Sequence, residues 1–151
     1  MRDAEVDQSG KTGDRKVVTV LALANDVQHT LVIPAKVKRV AVRWLRARGK
    51  SNTHVAVRIF TAGLFLLLKR HLDSFDRVMI DVEYVGWEAA IKAMLLERLR
   101  QVEPGFQGDR IVFRHVGKKS PAHRLAIEVY RHRRSFDRSV TEAELLDELR
   151  K

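Results

Sequence analysis

RVMIDVEYVGWEAAIKAMLLERLR, residues Arg77–Arg100, is the stretch that decides how this chain is read. Val78, Ile80 and Val82 alternate with Met79, Asp81 and Glu83, a period of two that predicts a strand. The same alternation puts Asp81 and Glu83 on one face of the sheet. A Gly86 turn follows. From about Trp87 to Gln101, Ala90, Ile91, Met94, Leu95 and Leu99 then recur at helical spacing. Acids so near a strand's C-terminal end are costly if buried, and that end is where open α/β sheets build their sites. They mark either a site or a strand end surfacing into water.

Outward from this stretch, Lys16–Ala24 (KVVTVLALA) predicts a buried strand. Asn25-Asp26 supplies turn chemistry, and His29–Pro34 (HTLVIP) returns as a second strand. In Lys38–Arg46 (KRVAVRWLR), Val40, Val42 and Trp44 alternate with Arg39, Ala41 and Arg43, predicting a third, half-exposed strand with a basic face. Ser51, Asn52 or Thr53 can cap a long helix reaching about His71, apolar nearly all round at Ile59–Leu68 and so central to the packing. After the Arg77 strand and its helix, Pro104-Gly105 and Gly108 mark a loop, and Arg110–His115 (RIVFRH) predicts a short strand. Ser120 as N-cap and Pro121 at the first helical position open a helix to about Arg133. A Thr141 to Glu144 capping box starts a terminal helix over Thr141–Arg150.

The expected order is β-β-β-α-β-α-β-α plus a terminal helix: three antiparallel strands, then alternating helix and strand in a mixed sheet with helices on both faces. Residues 1–15 are polar and aperiodic and are expected to be a mobile leader, with one domain over 16–151. Gly10-Lys11-Thr12 is not a P-loop, because Glu5 stands where that motif needs glycine.

Composition narrows the partner and excludes some chemistry. At 151 residues, 45% hydrophobic and 32% charged, the chain suits one globular domain. No apolar run has membrane-spanning length, and the N-terminus lacks the order of a signal peptide. With no cysteine there is neither disulfide framework nor thiolate metal site, so a cytoplasmic protein is the simplest expectation. Twenty-nine Lys and Arg against 19 Asp and Glu give a charge of +10. Such a basic protein is expected to bind nucleic acid (RNA, DNA or hybrid) rather than a membrane.

The element order and two local strings resemble the ribonuclease H-like superfamily. Asp81-Val82-Glu83-Tyr84-Val85 resembles the Asp-x-x-Tyr-Val strand end that carries one metal-binding acid in ribonuclease H. His115-Val116-Gly117 resembles the family's His-x-Gly loop, and His123-Arg124-Leu125-Ala126 matches the helix that bears its last acid before Leu-Ala. The resemblance implies a nuclease, a phosphodiester hydrolase dependent on a divalent metal. It implies Asp81 and His123 as metal ligands, Asp81 and Glu83 as catalytic carboxylates and His115 as proton carrier. Three departures weaken the carry-over. The expected first strand, Lys16–Ala24, has no acid and Asp26 lies beyond it in the turn; the first helix offers His54 and Val55 where the family has a carboxylate; and His123 stands at the position of the last acid. Histidines at such positions favour Mn²⁺ over Mg²⁺.

Arg43, Arg46, Arg48 and Lys50 on one side, and Arg114, Lys118 and Lys119 on the other, are expected to contact phosphates. Trp44 and Trp87 could stack on bases, although packing explains them as well. A non-catalytic nucleic-acid-binding or assembly module with a degenerate site stands beside the nuclease. The terminal helix would then cap the domain or dock a protein partner.

Overall fold

The computed structural model describes residues Met1–Lys151. In chain order it contains β1 (Asp3–Ser9), β2 (Thr19–Ala24), β3 (Gln28–Ile33), α1 (Ala35–Arg46), α2 (Asn52–Leu68), β4 (Arg77–Asp81), α3 (Glu88–Val102), β5 (Ile111–Arg114), α4 (Pro121–Tyr130), β6 (Arg138–Ser139) and α5 (Glu142–Arg150). The strands form one mixed sheet in the order β5-β4-β1-β2-β3-β6. β1, β2 and β3 are antiparallel neighbours. β4 pairs parallel with β1, β5 parallel with β4, and β6 parallel with β3.

The sheet is covered on both faces, as expected. Leu21 and Leu23 of β2 join the larger core with residues of α1, α2, α3 and α5, whereas Val20 and Ala22 join a smaller one with Leu125, Ala126 and Val129 of α4. A strand buried on both faces loses the apolar–polar alternation, which is why β2 is apolar from Val20 to Ala24. α2 is buried along most of its length, and Ser51 caps it by accepting from the His54 amide. At Gly63 α2 comes so near the sheet that a Cβ would lie 2.8 Å from Leu21 Cδ1. α4 starts at Ser120 and Pro121 as expected, and Thr141 with Glu144 forms the capping box of α5. Leu145 and Leu149 put the apolar side of α5 into the main core, so this helix caps its own domain. No helix is long and apolar enough to cross a membrane.

Two expectations are corrected. Residues 3–9 are not part of a leader: β1 lies in mid-sheet, with Ala4 and Val6 fully buried. Over residues 3–7 its sequence alternates as a half-polar strand should, but acids at every second position hide the signal. Residues 38–46 are not a strand but most of α1. Val37, Lys38, Ala41, Val42 and Leu45 are its buried side, a spacing of three and four. Over so short an apolar run periods of 2 and 3.6 overlap, and packing on α2 and α5 overrides the β preference of three valines. The antiparallel triplet exists, but it is built from β1 to β3, one element earlier than expected. β6 was not anticipated.

Candidate metal and nucleic-acid site

Pairing of β1 with β4 builds the site. Val6 stands opposite Ile80, so the next residues, Asp7 and Asp81, emerge side by side at the C-terminal ends of two parallel strands. Val6 and Ile80 face the main core, which turns both acids toward the α4 side. Glu83 joins them from two residues beyond β4. Each of the three carboxylates offers an oxygen, and these oxygens lie within 4.8 Å of one another.

Each acid is held by a different part of the chain. Asp7, only 5% exposed, accepts from the Gln8 amide at 2.8 Å and meets His123 Nδ1 at 2.7 Å through its other oxygen. Asp81 Oδ1 accepts from the Val116 amide at 2.8 Å, tying the β5–α4 loop to the site. Glu83 is fixed through its neighbour. The Tyr84 hydroxyl meets Thr12 Oγ1 at 2.5 Å, Thr12 in turn donates to the Ala56 carbonyl, and the Tyr84 ring packs edge-on to Phe60. Burial pushes the Tyr84 hydroxyl up, away from ionisation.

No lysine or arginine forms an ion pair with Asp7, Asp81 or Glu83. The Glu83 carboxyl is pushed up to about 9, first by burial, then by its hydrogen bond to Asp81 and the charges of Asp81 and Asp7. Without a cation, three carboxylates this close retain a proton. An all-oxygen donor set crowded enough to hold that proton fits a hard divalent ion.

His123 is set by α4. Ser120 accepts from the His123 amide at 3.0 Å, and the first turn aims the ring at Asp7. It thus touches the acid cluster through Asp7 and is not one of the three converging donors. His115 lies exposed on the loop that Asp81 anchors. Three other acids or histidines stay apart. Asp26 lies in the β2–β3 turn at the opposite end of the sheet. His54 sits at the start of α2 against Trp87, ring centroids 5.6 Å apart, its imidazole held down by burial, Lys50 and Arg58. Glu88 accepts from the Gly86 amide and closes the turn before α3. Asp7 is the site residue that sequence reasoning missed. The alternation of Ala4 and Val6 with Asp3, Glu5 and Asp7 was the signal that could have found it.

Basic side chains surround this end of the sheet. Arg114 ends β5, and Lys118 and Lys119 are exposed on the following loop. Arg43 and Arg46 are exposed on α1, and Lys50 is half-buried between α1 and α2. Arg48 is committed locally: its guanidinium lies 3.6 Å over the Trp44 ring and donates to the Trp44 carbonyl. Between α1, the start of α2 and the β1–β2 loop runs a cleft of about 440 Å³, bordered by Arg15, Lys16, Arg46 and Tyr84 among others. The chain matches no family model, no curated protein and no solved structure.

Proposed function

We propose that this chain is a nucleic-acid-binding phosphodiester hydrolase of ribonuclease H-like type, dependent on Mg²⁺ or Mn²⁺. The observation that carries the reading is the meeting of Asp7, Asp81 and Glu83, none of them paired with a lysine or arginine, at the ends of two parallel strands. The strand order supports the likeness: an antiparallel β1–β2–β3 with β4 and β5 added in parallel beside β1. Asp7 also supplies, within the first strand, the acid that the resemblance asks for.

Asp7, Asp81 and Glu83 would hold the ion. A divalent ion so placed makes bound water more acidic and offsets charge on the leaving oxygen. The chain's own residues do the positioning. His123 fixes the rotamer of Asp7, and the Val116 amide fixes Asp81 through Oδ1. Glu83 gives up its retained proton when a cation replaces it. His115, exposed beside Val116, carries protons between the site and water. Basic residues on both sides hold phosphates and leave sequence unread.

The test is cleavage of labelled single-stranded RNA, duplex DNA and an RNA–DNA hybrid with Mg²⁺ or Mn²⁺. Asp81→Asn and Asp7→Asn, purified identically, are the controls. Metal-dependent cutting is expected, with a loss of at least 100-fold in both variants, the scale of removing one preorganised electrostatic group. A non-catalytic binding module is favoured by one observation, that His54 packs against Trp87 and adds no fourth ligand to the three acids. Salt-sensitive binding without cutting in any metal would decide for that module.

A further inference from the structure

Helix α1 presents four cations on one exposed stripe: Lys36, Arg39, Arg43 and Arg46, at spacings of three, four and three. Its other side, including Val37, Ala41 and Leu45, is buried. The stripe borders a groove whose opposite wall is the β1–β2 loop. One part of the groove, about 330 Å³, is lined by Arg15, Lys36, Arg39 and Arg43. The next, about 440 Å³, is lined by Arg15, Lys16 and Arg46 and reaches Tyr84. Arg15 lines both, so the two parts meet at its side chain, and Tyr84 is the residue after Glu83.

Six cations line this path against two acids, Asp14 and Glu142. None of the six forms an ion pair. Arg39 donates to the Arg15 carbonyl and Arg46 to Asn52 Oδ1, contacts that aim both guanidinium groups without neutralising them. Uncompensated like charges held this close repel one another, and a polyanion relieves that repulsion. From Lys36 to Arg46 the helix rises roughly 15 Å. That length matches about four phosphates along one strand of a duplex, at about 3.4 Å each.

We infer that the groove between α1 and the β1–β2 loop is a binding track for the sugar-phosphate backbone of the nucleic acid, at the same end of the sheet as the Asp7–Asp81–Glu83 cluster. This rests on the proposed function for the identity of the polyanion, and it adds Arg15, Lys16, Lys36 and Arg39 to the basic residues named there. α1 acts as an arm outside the acid site, with binding energy that is electrostatic and indifferent to sequence.

The experiment compares three proteins: wild type, Lys36→Ala/Arg43→Ala, and Arg131→Ala/Arg133→Ala. The first pair makes no ion pair or side-chain hydrogen bond, so its removal changes charge and leaves the fold intact. The second removes equal charge at the far end of α4. Fluorescence anisotropy with a labelled 20-base-pair duplex and its single strand is measured across KCl concentrations, in Ca²⁺ to prevent cutting, with phosphatidylserine vesicles as a third probe. The α1 pair is expected to lower the slope of log affinity against log salt by about 2, and affinity by on the order of 10- to 100-fold at 0.1 M salt. The α4 pair should leave both near wild type. Equal effects of both pairs, or none from the α1 pair, overturn the track. So does wild-type binding to the vesicles alone. Cleavage with an unchanged α1 slope would sink the track and keep the hydrolase. A lowered slope without cleavage would keep the track and sink the hydrolase.

Discussion

Glu83→Gln tests the electrostatics of the site without needing a substrate. In the folded protein the Glu83 carboxyl is pushed up to about 9, whereas in the unfolded chain it lies near 4.5. Between those values the native state binds a proton that the unfolded state has released, so raising the pH destabilises the fold. The stabilisation is complete below about 4.5 and is lost as pH climbs through about 9. One proton corresponds to about 1.4 kcal/mol per pH unit. From pH 6 to pH 8 the ceiling is therefore about 2.8 kcal/mol, or roughly 6–11 °C in Tm for a chain of this size. The true figure falls below this, because Glu83 is only half-buried and solvent screens part of the interaction.

Glutamine keeps the shape and removes the titration. Thermal unfolding of both proteins across pH 5–9 is read as the difference in Tm, which cancels the histidines and other groups common to both. The wild type should lose several degrees more than the variant between pH 6 and 8. Adding Mg²⁺ or Mn²⁺ should restore most of that loss in wild type, increasingly as pH rises, since the ion replaces the proton. Glu83→Gln should respond less. Parallel Tm–pH curves for the two proteins would refute the picture of three carboxylates confined around one proton.

Two further predictions concern the loop that carries Thr12. Gly10 follows β1 with φ 81°, and a Cβ there would stand 2.1 Å from the Val18 carbonyl oxygen, which is backbone and cannot yield; Gly10→Ala should cost about 2–4 kcal/mol in urea unfolding, above the strain of a left-handed residue alone. Lys38 is fully buried on α1, its ammonium donating to the Lys11 carbonyl and Thr19 Oγ1, and burial pulls it down to about 8. Its folded value is depressed, so stability is gained as pH rises from about 8 to 10.5 and lost as it falls back through 8. Lys38→Met should remove that gain, seen as a flatter stability curve over this window than wild type.

The strand that ends in Asp81 was legible because its apolar positions are Val, Ile and Met, residues that favour a strand. So were the capped helices: Ser51, Ser120 and Thr141 each announce a start through a local hydrogen bond, which needs no knowledge of the rest of the fold. Asp7 was hidden for the opposite reason. Its strand is half polar, and what makes it a strand is pairing with Val20–Ala24 and Arg77–Ile80, partners no local window contains. α1 was misread because a valine-rich run fits both periods, and only the neighbours decide which side is buried. The basic residues were nominated by proximity in sequence. Arg15, Lys16, Lys36 and Arg39 fall in an expected leader, a strand start, a link and a strand face, which no local window brings together.

The central place of β1 also bears on how the chain reaches its fold. Ser9 meets Val20 after only a short excursion, but Asp3 meets Arg77 across a separation of 74 residues. Closing the longer loop costs roughly 2 kcal/mol more in chain entropy than closing the hairpin. The β1–β2–β3 meander can therefore form while the far edge of β1 waits, and that open edge is a template for the wrong strand until β4 arrives. Asp7 lies near the end of that edge. Its carboxylate makes a premature neighbour costly, so the group that marks the site also guards the strand during assembly.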